Sequence, residues 1–184
     1  MIWDLPIDVE INGKKHPIRN KCDYRVVLDV ICALNDNELT DEEKIKCALF
    51  IFYEDISQIA DYGTAIKEMF RIINNGEEEE QTRDNNPSLM DWEYDFKHIA
   101  PPISRVLGYD VRTSDKYTHW YSFLGGYMEI GECTFATIVS IRNKRAKGQK
   151  LEKWELDYLR EHRKMIDLPQ KLTTEEQELL NSEW

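Results

Sequence analysis

The chain has 184 residues with 24 Lys and Arg against 35 Asp and Glu, a net charge of −11, and is 41% apolar and 32% charged. That length supports one ordinary core without staples. So acidic a chain argues against a general nucleic-acid-coating role, because phosphate binding needs a surplus of Lys and Arg on at least one face. The start, Met1-Ile-Trp-Asp-Leu-Pro, has no basic region followed by a long apolar one, so no secretory signal is expected. The longest clean apolar run, Ala48–Tyr53, is far short of the roughly 18 residues of a membrane span. Cys22, Cys32, Cys47 and Cys133 have no CxxC spacing and no zinc-like His offsets; buried thiols in a reducing cytoplasm are expected.

Residues 5–19 read as a β-hairpin. Ile7, Val9 and Ile11 alternate with acidic residues, and Asn12-Gly13 is a strong two-residue turn signal. Pro17 restricts the return strand to an edge or ends it. The period then becomes helical. Val27, Val30, Ile31 and Leu34 predict a helix over 23–35 with Asp23 as N-cap. Thr40 and Glu43 form a capping box that opens a helix to about Tyr53. Its apolar residues wrap more than one face, which predicts burial on two sides. A further stripe spans 61–75, with Gly76 as its C-cap.

Residues 74–89 are acidic and polar and read as a mobile loop, either a solvated tether or a lure for a basic partner. A helix then carries Trp92, Phe96, Ile99 and Ile103, and Pro101-Pro102 predicts a kink or restart near Ala100. Ser114 or Asp115 would cap a helix holding Trp120, Phe123 and Met128. Gly125-Gly126 within it costs about 1–2 kcal/mol and marks a bend or a close helix approach. Residues 133–143 and 151–165 complete the helices. The last piece, 169–184, is an acidic helix or tail beginning with a second capping box, Thr173 to Glu176. The expected fold is mainly α (α+β). An N-terminal β-hairpin (1–22) precedes a compact bundle of six or seven helices within a single domain, 1–168. Its helical parts, 23–73 and 90–168, flank the central acidic loop.

No constellation for chemistry emerges. His119 lies beside Trp120 and Tyr121 without a carboxylate at helical spacing, and Glu161-His162 lacks the second His of a zincin motif. No Glu-x-x-His, phosphate loop or GxSxG is present. No catalytic, cofactor or metal residue is therefore named, and a non-enzyme is expected. The run Arg142–Lys150 holds five cations and reads as a helix C-terminus entering a solvated loop, with nucleic-acid contact as the alternative. Aromatic residues are numerous. Trp92, Trp120 and Trp154 fall on core-facing stripes, whereas Trp3 and Trp184, near the termini, need a partner or a fold-back to be covered.

The segments Leu5–Lys14, Pro17-Ile18 and Asp23-Tyr24-Arg25 resemble the opening of the bacteriophage gene-product-fifteen family. The resemblance continues at Phe52-Tyr53, Met90–Glu93 and Gly108–Arg112, and is strongest at His119–Leu124, Cys133–Phe135 and Val139–Arg142. Tyr24 stands where the family pattern often has Phe, and Tyr121 where a second Trp is common. What this likeness implies is a non-enzymatic tail gene product of long-tailed phages or prophages, at work in the host bacterial cytoplasm. Its role would be akin to chaperones that cover apolar helical segments of the tape-measure protein until the tail tube polymerises. Implied partners are the tape-measure protein, the major tail tube protein, a second tail assembly chaperone, and further copies of the chain. Trp92, Trp120, Tyr121, Phe123 and Trp154 are the candidate residues that pack the core or line a partner groove. The alternatives are a connector- or terminator-like component retained in the virion tail, and a small regulatory protein binding nucleic acid or a host factor.

Overall fold

In a computed structural model, residues 4–77, 88–113 and 115–169 are described. Most of the acidic segment, the acidic tail, and both Trp3 and Trp184 lie outside them. The described chain is mainly helical, with one two-stranded sheet. It divides into two compact units, one holding the described residues of 4–77 and 115–124, the other those of 88–113 and 125–169.

In the first unit, β1 (Asp8–Ile11) and β2 (Lys14–Pro17) pair antiparallel, with Ile11 opposite Lys14. Asn12 and Gly13 both take positive φ (52° and 77°), as a two-residue turn of this hand requires. Val9 and Ile11 are buried beneath the hairpin, while Ile7 is exposed. α1 (Tyr24–Leu34) starts where the Asp23 carboxylate accepts the Arg25 amide. α2 (Asp41–Phe52) carries the Thr40–Glu43 capping box, and α3 (Tyr62–Ile73) is capped by Asp61. Arg19 crosses from the hairpin side to donate to the Phe50, Ile51 and Tyr53 carbonyls, which satisfies the C-terminal end of α2.

The helix expected from Ser114 or Asp115 begins later. α5 spans Trp120–Met128, and Ser114 is not among the described residues. Residues 118–120 are instead drawn out beside the start of α1. Tyr24 N–H donates to Thr118 O, and Trp120 N–H donates to Cys22 O. His119 pairs with Asp23 as an isolated bridge. These backbone bonds compete with a helical turn and win, because Asp23 also accepts the Thr118 amide in a buried setting.

In the second unit, α4 (Trp92–Leu107) runs through Pro101 and Pro102 as one helix, so of the expected kink or restart near Ala100 the restart does not occur. The prolines forfeit two ladder bonds. Pro102 is buried, as are Ile99, Ala100 and Ile103 of the same helix, and burial of that apolar surface offsets the loss. Gly126 meets α4 closely: a Cβ there would sit 3.2 Å from Ile103 and Leu107, the close approach that the glycine pair signals. α6 (Thr134–Ala146) packs Ile138 and Ile141 against Ile166. The helix read over 151–165 is broken at His162 into α7 (Lys153–Glu161) and a single turn, α8 (Arg163–Ile166).

Candidate functional site

α2 determines where a site can form. Its apolar residues exceed what one buried face needs. Ala48, Leu49 and Phe52 are fully inside the first unit. The other side is not covered, contrary to the expectation of burial on two sides. Phe50 is 64% exposed, and Tyr62, at the first position of α3, is 51% exposed. Both line an apolar groove of about 870 Å³, together with Ile45, Ile56 and Ile66. The 3₁₀ turn Ile56–Gln58, which contributes Ile56 to the lining, is fixed by Asp55, whose carboxylate accepts the Ser57 amide and hydroxyl.

The groove has few charges. Glu42 and Lys46 line it as an ion pair of 2.6 Å, one turn apart on α2. The Arg19 guanidinium sits 5.7 Å from the centre of the Phe50 ring, so the exposed aromatic is braced by a cation that also ties down the helix end. Asp61 fixes the start of α3. The Thr64 amide and hydroxyl hydrogen bonds hold its carboxyl below the ordinary carboxylate range. Cys47 also lines the groove, partly exposed, and none of the four cysteines is in a disulfide. Cys22 is fully buried, and burial raises its thiol pKa to about 12. What the lining offers most is apolar contact: covering the 64% of Phe50 that is still exposed would contribute about 1–2 kcal/mol. Among the described residues no group of three His, Cys, Asp or Glu side chains is placed to hold a metal ion.

The five aromatic residues singled out in the sequence lie elsewhere. Trp120 and Phe123 are core side chains of the first unit. Phe123 stacks on Tyr24 at 4.2 Å, and Trp120 Nε1 donates to Ile73 O at 3.0 Å. Tyr121 is half-buried, edge-on to His119. Trp92 and Trp154 belong to the second unit. Trp92 is half-buried against Tyr127, whereas Trp154 is 58% exposed on α7. His119 is held neutral by geometry. Its Nδ1 accepts the Tyr121 amide, which leaves Nε2 to donate to Pro6 O. Burial holds its pKa below the usual imidazole value.

Arg142, read as the first cation of a solvated run, is buried. It forms a two-point ion pair with Asp95. Lys144 likewise bonds the buried Glu155 at 2.7 Å. The later cations of that run, from Arg145 to Lys150, are exposed.

The sequence pattern of the Bacteriophage Gp15 protein family matches residues 2–168, nearly the whole chain. The chain belongs to that family. Neither a curated protein nor a solved structure matches it. Membership of the Gp15 family points to a structural or assembly role in a bacteriophage. Among the described residues of this Gp15 protein, no helix is long and apolar enough to cross a membrane.

Proposed function

We propose that this Gp15-family chain is a tail assembly chaperone that covers apolar helical segments of the tape-measure protein until the tail tube polymerises, working without covalent chemistry. The observation that carries this reading is the open α2–α3 groove, with Phe50 at 64% exposure and an almost uncharged lining. A groove lined by two helices accepts an amphipathic helix through residues spaced one turn apart. Each contact is modest, so many copies along a filament can act together and still be released. The net charge of −11 keeps a coated filament dispersed by repulsion.

Co-expression with the tape-measure chain tests it. The parent protein should raise the soluble fraction of that chain, and Phe50→Glu should return it to the level seen without a chaperone. Phe50 is largely solvent-exposed, so the variant should keep the parent's circular dichroism and melting behaviour. Equal solubility with parent, variant and no chaperone at all would refute the role.

A further inference from the structure

The second unit carries a cleft of different character. Lys97, Pro101 and Arg105 follow one another a turn apart on α4, and with His98 they form one wall of a space of about 290 Å³. Cys133 and Thr134, at the start of α6, line it from the other helix. No carboxylate is in the lining. Lys97 Nζ rests 4.9 Å from the centre of the Tyr94 ring, and Arg105 Nη2 donates to Ile130 O. Among the described residues neither cation has a carboxylate partner. His98 Nε2 is shielded from solvent and has no hydrogen-bond partner among the described residues, a state that costs stability until some group relieves it. We infer that this cleft binds a phosphate group, either the free ion or the phosphate of a small monoester.

Charge, donor count and size all favour this ligand. The Arg105 guanidinium and the Lys97 ammonium supply a fork and a point charge, the pair of donor types suited to phosphate oxygens. The first turn of α6 has no acidic side chain, and its cap is the Cys133 thiol, a weak acceptor 3.4 Å from the Ala136 amide. The Thr134 and Phe135 amides precede the first bonded position of that helix, so its positive end adds N–H donors to the two cations. Burial first, then the charges of Lys97 and Arg142, hold the His98 imidazole below its usual pKa against the pull of Asp95. A bound anion would supply the acceptor that its Nε–H lacks. Pro101 and Pro102 also line the cleft, and their missing N–H groups remove the helix donors of the Lys97 and His98 carbonyls. Hydroxyls of an ester therefore find acceptors beside the phosphate donors. The net charge of −11 repels anions in general, so retention would be the work of this cleft. A polynucleotide needs a basic track, which three side chains around one small space do not make.

The test is a titration of the isotope-labelled full-length protein, followed by amide NMR shifts. Inorganic phosphate and glycerol 3-phosphate are added separately at constant ionic strength, with sodium chloride as the blank. Saturable shifts at Thr134 and Phe135 that chloride does not reproduce are expected. Lys97→Gln and Arg105→Gln should each weaken binding about fivefold or more. Lys147→Gln, at an exposed cation just past the end of α6, should leave it unchanged. Lys97 is itself exposed, so its variant should keep the parent spectrum outside the cleft. Tighter binding of glycerol 3-phosphate assigns the cleft to an ester, and equal or weaker binding assigns it to the free ion. Shifts that never saturate or that match chloride overturn the inference, as does equal affinity in the parent and both cleft variants. A short oligonucleotide without a terminal phosphate that shifts Thr134 and Phe135 when neither probe does overturns it in favour of nucleic acid.

Discussion

Replacing Arg142 with methionine keeps much of the side chain's length and removes all five of its N–H donors, every one of which is in use. Nε donates to Ile166 O at 2.6 Å. Nη1 donates to Leu89 O at 3.1 Å and to Asp95 Oδ2 at 2.6 Å. Nη2 donates to Asp95 Oδ1 at 2.9 Å and to Met165 O at 3.0 Å. Without the guanidinium, the fully buried Asp95 keeps one amide donor, from Asp91 at 3.0 Å. Breaking a buried pair by removing one partner costs about 3–5 kcal/mol, because the remaining charge is uncompensated. The three orphaned carbonyls add less, since Leu89, Arg142 and Ile166 border an open cleft where water can substitute. About 4 kcal/mol is therefore expected. For a unit of about seventy residues this is a fall in Tm of about 15–30 °C. Urea unfolding followed by circular dichroism measures it, within a double-mutant cycle that includes Asp95→Leu. The doubly substituted protein should regain at least about 2 kcal/mol relative to additive behaviour. An Arg142→Met protein within about 1 kcal/mol of the parent, or strict additivity in the cycle, would refute the reasoning.

Two smaller effects follow from the first unit. Tyr53→Phe removes a buried hydrogen bond from the hydroxyl to Ala65 O, 2.8 Å long, and should cost about 1 kcal/mol in urea unfolding; no change would mean the bond is not made in solution. Burial depresses the pKa of His119 in the folded chain, so as pH falls through about 6.5 the unfolded chain takes up its proton first. Stability present above that pH is lost progressively below it, until the folded imidazole also protonates. His119→Gln should reduce the fall in urea midpoint between pH 7 and pH 5.5. His98, also depressed chiefly by burial, should preserve part of the slope. An unchanged slope in the variant would count against the neutral, doubly bonded imidazole.

Local signals in the sequence translated well into local structure. Asn12-Gly13, the Thr40–Glu43 box and the Asp23 cap each act within three residues, and each is where the pattern puts it. What failed depended on partners far along the chain. Residues 118–120 fall inside the stretch that a cap at Ser114 or Asp115 would make helical, but residues 22–24 offer them backbone bonds across almost a hundred positions. Arg142 looks like any cation in a basic run until Asp95, 47 residues earlier, is placed opposite it. Pro101-Pro102 reads as a break because propensity counts the lost bonds and not the burial of Pro102. The groove was half visible. The apolar residues of α2 were too many for one face, and the excess signalled unsatisfied surface as well as it signalled core. Nothing in the alternation marked Phe50 and Tyr62 as the exposed pair, since exposure is decided by what does not pack above them.

The stack of Phe123 on Tyr24 joins residues 99 positions apart, which sets a timetable for biosynthesis. When Glu77 leaves the ribosome, the hairpin and α1–α3 are complete, but the slot for Trp120 and Phe123 is vacant. Another 47 residues must be translated before Leu124 emerges, which takes about 2–9 s at bacterial elongation rates of about 5–20 residues per second. During that interval the nascent chain displays unfilled core as well as open groove. A fragment stopping at residue 77 would never close that vacancy.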